Sequence, residues 1–105
     1  RVYWGSHMLF IDEAKAGCPK DALLKALRAE GVPISHGAYD EQHKYKLYSE
    51  AKWWHHPVEI PAELPGTTQV NRTAARMPLF YGEAGDVIEQ YVKAFEKVWV
   101  SRAKL

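Results

Sequence analysis

The last third of the chain carries an apolar pattern with a helical period. Behind Asp86, hydrophobic residues recur at i, i+1, i+4, i+5, i+8, i+11 and i+12, namely Val87, Ile88, Tyr91, Val92, Phe95, Val98 and Trp99. This spacing predicts an amphipathic helix of about four turns with Asp86 as its N-cap. Because an apolar stripe of this length must be covered, the rest of the chain has to supply a second layer.

Two segments near the start of the chain are candidates for that layer. Residues 2–11 are rich in aromatic and β-branched residues, which predicts a strand. Pro19 and Gly31 bracket a pattern of leucines that predicts an amphipathic helix over about residues 19–30, with Pro19 as its first helical residue. Residues 32–34 begin another short extended piece.

Two further elements are predicted ahead of the C-terminal helix. Thr67 or Thr68 is a candidate N-cap for a helix that runs to the residue before Pro78. Residues 77–81 follow as a predicted strand, which pairs with the first strand to form the sheet under the C-terminal helix. The sequence therefore predicts a single α+β domain over residues 1–105, a two-layer sandwich with helices packed on one face of a short mixed sheet.

Composition and charge exclude several classes of protein. Fourteen basic and thirteen acidic side chains give a net charge of +1, so no long-range field collects nucleic acid or anionic lipid. No apolar run approaches the roughly 18 residues that a membrane span needs. Apolar residues make up 47% of the chain, which predicts a folded core rather than disorder. We therefore expect neither a nucleic-acid partner nor a membrane partner.

The single cysteine and the first residues bear on location. Cys18 has no second cysteine to pair with, and residues 1–4 lack the features of a secretion signal, so the cytoplasm is the expected setting. Cys18 precedes a predicted helix, but no base is identified beside it, which favours a small buried cysteine over a nucleophile. Residues 5–8 match the sequence that a common tag-cleavage site leaves behind, and native sequence is an interpretation of equal weight. No function is therefore assigned to His7.

The middle of the chain, residues 36–56, concentrates aromatic and histidine side chains. Its period is ambiguous, and the prolines that follow favour a loop with brief helical parts. The four histidines of this segment match no metal-binding spacing: His36, His43, His55 and His56. We therefore predict no metal site, and a metal-dependent hydrolase that uses His43, His55 and His56 is kept as a minor alternative.

Tyr39 and His43 are the candidate binding residues of this segment. If the segment is helical, their spacing of four places a phenol and an imidazole on one face, where both can hydrogen-bond a polar substrate. An aromatic patch packed under a loop is an alternative of at least equal weight. The neighbouring carboxylates of the pairs Asp12-Glu13 and Asp40-Glu41 are interpreted as solvated turns.

Three motifs follow one another along the chain. They are the helix end Ala26-Leu27-Arg28-Ala29-Glu30-Gly31-Val32, the segment Tyr39-Asp40-Glu41-Gln42-His43, and Met77-Pro78-Leu79-Phe80 followed by the C-terminal helix. In this order and spacing they resemble the C-terminal part of the DegT/DnrJ/EryC1/StrS family of pyridoxal-phosphate-dependent aminotransferases, which act on keto-sugars and keto-cyclitols. The resemblance covers nearly the whole chain and is nearest to members that transaminate a keto-inositol with glutamine as amino donor.

The resemblance implies a division of work between two domains. In that family a large N-terminal domain carries the Schiff-base lysine and most of the cofactor site, and the small C-terminal domain lines the substrate entrance and helps position the dimer. It implies that Tyr39 and His43 contact the keto-sugar or keto-cyclitol, and that this chain has no catalytic, cofactor-binding or metal-binding residue of its own. Asp40 stands where the family usually has proline, so a rigid turn beside Tyr39 is missing.

We therefore expect a fragment or a stand-alone remnant of such an aminotransferase, whose parent reaction uses glutamine or glutamate as amino donor. A domain this short has no core volume for a lysine and a buried acid beside a cofactor, so the isolated chain is not expected to catalyse the transfer. Its expected partner is the large cofactor domain or a second copy of the chain. The alternative from another class is a non-catalytic binding or dimerisation module with the same fold.

Overall fold

The computed structural model describes residues 7–37, 39–50, 52, 55–56 and 59–105. Within these ranges the elements are, in chain order, β1 (Met8–Phe10), α1 (Glu13–Ala16), α2 (Lys20–Ala29), β2 (Ser35–His36), a 3-10 turn (Gln42–Lys44), α3 (Lys46–Ser49), α4 (Pro65–Thr73), β3 (Ala74–Arg76), α5 (Gly85–Ser101) and a final 3-10 turn (Arg102–Lys104). The α+β class is confirmed. No helix in the described ranges is long and apolar enough to cross a membrane.

The three strands form one sheet with β3 in the centre, in the order β1-β3-β2. Ala75 of β3 pairs with Leu9 on one side and with His36 on the other. Both pairings are antiparallel, so the prediction of a mixed sheet is wrong. The predicted strand at residues 2–11 is confirmed only at β1, and its first five residues lie outside the described part of the chain.

The central strand lies earlier in the sequence than predicted. α4 passes directly into β3, so the predicted helix stops well before Pro78. The predicted strand at residues 77–81 is wrong, since this segment is not part of the sheet. Met77 adds one backbone bond by donating to the His7 carbonyl at 2.9 Å, and Pro78 has no N–H with which to continue the ladder.

The core forms where α2 and α5 pack together over the sheet. Ala75 of β3 faces this layer and joins the buried side chains of both helices. The largest fully buried side chains are Leu24, Leu27, Val32 and Ile34. α2 follows the predicted leucine pattern, and Cys18 is buried beside it, as predicted. The apolar contacts of α2 and α5 thus hold the sheet that carries the loop after β2.

Helix starts differ from the predicted caps. α4 begins at Pro65 rather than beside a threonine, since a proline at the first helical position gives up no backbone hydrogen bond. Pro19 is the N-cap of α2 instead of its first helical residue. α5 begins at Gly85, and Asp86 lies in its first turn without forming a side-chain cap. The Asp86 carboxylate still lies where the helix dipole favours negative charge.

A buried lysine joins α2 to α4. The Lys20 ammonium donates to the backbone carbonyl of Asn71 at 2.9 Å, in the last turn of α4, where the helix dipole favours a cation. The Lys20 backbone N–H donates to the Glu13 carboxylate at 2.8 Å. This N–H, and then the Arg72 guanidinium, hold the pKa of Glu13 below its ordinary value. Glu13 is therefore a structural contact and not part of a solvated turn.

Candidate functional site

Gly37 sets the direction of the chain as it leaves β2. Its backbone N–H donates to the Ala74 carbonyl at 3.1 Å, and the residue is buried. A Cβ atom at this position would lie 2.8 Å from the Met8 side chain and 2.9 Å from the backbone and Cβ of Ala74. Because only glycine fits this close approach, Gly37 lets the chain leave β2 in direct contact with β3.

Tyr39 is held by its backbone while its ring stays accessible. The Asn71 side-chain amide donates to the Tyr39 carbonyl at 2.9 Å. The Tyr39 side chain is 74% exposed, and the Arg76 guanidinium carbon lies 5.6 Å from the centre of its ring. The backbone carbonyl of Asn71 also accepts a hydrogen bond from the Lys20 ammonium. The position of Tyr39 therefore depends on the contact that anchors α4 to α2.

Glu41 fastens the loop to α4. The Thr68 hydroxyl donates to one carboxylate oxygen of Glu41 at 2.5 Å, and the Lys44 ammonium pairs with the other oxygen. Lys44 also donates its backbone N–H to the Glu41 carbonyl at 2.9 Å, which closes the 3-10 turn. With a side chain only 13% exposed, Glu41 is not part of a solvated turn, and that interpretation is wrong for this residue.

His43 has a nearly buried imidazole whose Nε2 makes no hydrogen bond among the described residues. Its side chain is 10% exposed, and Nε2 makes no hydrogen bond within the described part of the chain. The nearest carboxylate oxygen, Oε2 of Glu41, lies 3.9 Å away, beyond hydrogen-bond distance. An unpaired buried polar atom costs free energy, so Nε2 is an unsatisfied hydrogen-bonding group at this site.

Two grooves meet at His43. The first, here the Tyr39 groove, has a volume of about 430 Å³ and is lined by Tyr39, His43, Leu64 and Val70, among others. The second, the Tyr48 groove, has a volume of about 330 Å³ and includes His43, Tyr48 and Ile60 in its wall. His43 therefore separates the two grooves and borders both.

The structure brings the two predicted binding residues to one groove, but not in the way the spacing suggested. The helical premise is wrong, because Tyr39 precedes the 3-10 turn and lies in no helix. Tyr39 and His43 meet because Asn71 and Thr68 of α4 hold the loop at two points. Asp40 is exposed, and its carboxylate accepts a hydrogen bond from the Tyr45 hydroxyl at 3.1 Å.

The other histidines of this segment do not join His43. His55 and His56 are exposed, and His36 lies on β2 with its ring 3.8 Å from Asp21. Among the described residues, no group of three potential ligands could hold a metal ion. The neighbouring Trp53 and Trp54, part of the predicted aromatic segment, lie outside the described residues.

Sequence reasoning missed two residues at this site. The structural role of Glu41 was not predicted, because its partner Thr68 lies 27 residues away along the chain. Arg76 was placed inside a predicted helix, whereas it ends the central strand. The only sequence signal for Glu41 was Lys44, three residues later, and no signal identified Arg76.

The ionisation of Glu41 should make stability depend on pH. The Lys44 ammonium, followed by the Thr68 hydroxyl, holds the pKa of Glu41 below its ordinary value of 4.5. A carboxyl with a lowered folded-state pKa contributes stability above its unfolded pKa, and that contribution is lost as the pH falls through the folded pKa. We expect Glu41→Gln to have a lower urea midpoint than the unmodified chain at pH 7, with the gap closing in acid.

The control for this measurement is Glu59→Gln, which alters an exposed glutamate. We expect its urea midpoint to follow that of the unmodified chain at every pH. A gap for Glu41→Gln that stays constant from neutral pH down to well below 4.5 would show that the Glu41 carboxylate does not fasten the loop by its charge.

When the chain is compared with models of protein families, with curated proteins and with solved structures, none of them matches it.

Proposed function

We propose that the chain is the small domain of a pyridoxal-phosphate-dependent aminotransferase that acts on keto-sugars or keto-cyclitols, with glutamine or glutamate as amino donor. The observation that carries the proposal is the unpaired Nε2 of His43, in a side chain nine-tenths buried beside a groove that it shares with Tyr39. These are the two residues that the family resemblance implies for substrate contact.

The chemistry of the Tyr39 groove suits a ring that carries hydroxyl groups. An imidazole Nε2 can accept or donate one hydrogen bond, and a phenol can do both, so together they can bind two neighbouring hydroxyls. Leu64 and Val70 line the same groove and offer an apolar surface for the C–H face of such a ring. A groove of about 430 Å³ is in the size range of small-molecule sites.

The described residues do not fit the cofactor itself. The one lysine that is buried among them is Lys20, and its ammonium already donates to the Asn71 carbonyl. No aspartate among them is buried, so none is placed to meet a pyridine nitrogen. In this proposal the cofactor therefore binds to another stretch of polypeptide, and the part that this chain plays is to bind and orient the keto substrate.

Exposed apolar side chains support the proposal that a large domain packs on this chain. Along α5 and β1 several large side chains remain accessible to solvent: Phe10, Ile88, Val92, Trp99 and Val100. Phe10 and Trp99 line one mainly apolar groove between β1 and α5, and exposed apolar surface of this kind often marks an interaction site. A large cofactor domain packed on this surface would bury it, as the aminotransferase proposal requires.

The cofactor part of the proposal is tested by adding pyridoxal phosphate to the purified chain. We expect no saturable one-to-one binding in an absorbance titration. After borohydride reduction, peptide mass spectrometry should find the label spread over several exposed lysines. The labelled fraction of each lysine should be about that of Nα-acetyl-lysine, which keeps a free ε-amine, treated in the same way. A stoichiometric adduct on one lysine would show that this chain holds the cofactor by itself and would contradict the proposal.

A further inference from the structure

Arg76 is a partly buried cation without a carboxylate partner. It lies at the end of the central strand, where it pairs through its backbone with Met8 and Ser35. Its Nε is buried and makes no hydrogen bond, and no carboxylate lies within ion-pair distance of its guanidinium in the described ranges. An arginine stays charged at any physiological pH, so burial without a partner costs free energy.

The surroundings of Arg76 form a third groove. This Arg76 groove has a volume of about 470 Å³ and shares the lining residue Tyr39 with the Tyr39 groove. Hydroxyl-bearing residues line it together with the guanidinium, namely Ser35, Tyr39 and Tyr81. Pro33, Pro78 and Leu79 supply an apolar wall. No carboxylate side chain is among the residues that line it.

Together these groups offer donors with a net positive charge beside an apolar surface. A guanidinium binds carboxylate and phosphate oxygens through charge-assisted hydrogen bonds, which are stronger than neutral ones. The ring of Tyr39 lies 5.6 Å from the guanidinium carbon, a cation–π distance that keeps Arg76 against one wall of the groove.

We propose that the Arg76 groove binds the carboxylate or phosphate group of a small organic anion, with Arg76 as the anion-binding residue. The neighbouring hydroxyls add hydrogen bonds, and the apolar wall covers the organic part of the ligand. This inference goes beyond the proposed function, because it does not depend on His43, on a keto substrate or on a second domain. Its test therefore has an outcome of its own.

The test is a titration of the ¹⁵N-labelled full chain with benzoate and with phenyl phosphate at constant ionic strength. We expect saturable changes in the Arg76 Nε–H signal and in the backbone amide signals of Ser35 and Met77. Benzyl alcohol, which lacks the anionic group, should not produce them. The two anions distinguish a preference for carboxylate from a preference for phosphate, and saturation by either supports the proposal.

Substitutions locate the binding. Arg76→Gln should weaken the apparent affinity at least about tenfold, as expected when a charged hydrogen-bond donor is removed. The matched control is Arg72→Gln, which removes the same charge from an arginine that pairs with Glu13 and should bind close to normally. Arg76→Lys keeps the charge but lacks the planar guanidinium that can bind an anion through two hydrogen bonds. We expect it to bind with intermediate affinity, and it replaces Arg76→Gln as the test variant if that variant does not fold.

Four results would overturn the inference, three of them in the titrations and the Arg76 variants. They are shifts that stay linear with anion concentration, equal shifts with benzyl alcohol, and equal anion affinity in the Arg76 variants and the unmodified chain. Loss of binding in Arg72→Gln as large as in the Arg76 variants would also overturn it, since this would reflect net charge rather than a site.

Discussion

Gly37→Ala is expected to lower the free energy of unfolding by about 2 kcal/mol, which is the scale of an overpacked core position. The added Cβ would lie 2.9 Å from the backbone and Cβ of Ala74, on the central strand of the sheet. It would also lie 2.8 Å from the end of the Met8 side chain, which can move, whereas the strand cannot without breaking its pairing on both sides. Urea unfolding followed by circular dichroism measures this loss.

The matched control is Gly66→Ala, which adds the same methyl group where nothing lies within 4 Å. Gly66 is in α4, so alanine should leave stability unchanged or raise it by up to about 1 kcal/mol. Equal urea midpoints for the two variants would mean that the loop after β2 does not approach the sheet as closely as described. The position of Tyr39 would then lose its structural basis.

The two long helices were predictable because each carries apolar residues at helical spacing. The core uses the stripe of α2, for example Leu24, whereas of the α5 stripe it buries Val98 and leaves residues such as Ile88 and Trp99 exposed. The limits of α4 and β3 were not predictable in this way. β3 consists of Ala-Ala-Arg, which has no β-branched or aromatic residue, and it is a strand because it pairs on both sides.

The site was predictable in its residue types and not in its geometry. A tyrosine and a histidine in a segment rich in both are visible in the sequence, and the structure places Tyr39 and His43 on one groove. The burial of His43 depends on contacts that no local pattern contains, above all the hydrogen bond from Thr68 to Glu41. The solvated-turn interpretation failed for Glu41 because its burial comes from α4, a distant part of the chain.

The arrangement also explains why Tyr39 stays accessible while His43 does not. Asn71 holds Tyr39 by its carbonyl oxygen, which leaves the phenol ring between two grooves. Glu41 fastens the following turn to Thr68 of α4 by its side chain, and His43 in that turn lines a groove together with residues of α4. An exposed phenol and a buried imidazole on one groove are suited to binding a ligand that enters from solvent and is only partly covered by this chain.

The central claim is that His43 contacts the keto substrate in a polypeptide whose cofactor domain lies outside this chain. Its most direct test is amino transfer from glutamine to a keto-inositol by the polypeptide that the complete gene encodes, compared between His43→Phe and the control His36→Phe. We expect kcat/KM for the keto-inositol to fall about 10- to 100-fold in His43→Phe, because phenylalanine keeps a ring of similar size and cannot hydrogen-bond the substrate.

Because His43 is assigned to the keto substrate, kcat/KM for glutamine, measured in its own half-reaction, should stay near that of the unmodified polypeptide. His36→Phe should leave both values unchanged, since His36 lies on β2 and lines neither of the grooves that meet at His43. Equal kcat/KM for the keto-inositol in the two variants would contradict the account. So would a complete gene that encodes no lysine-bearing cofactor domain and a product that transfers no amino group.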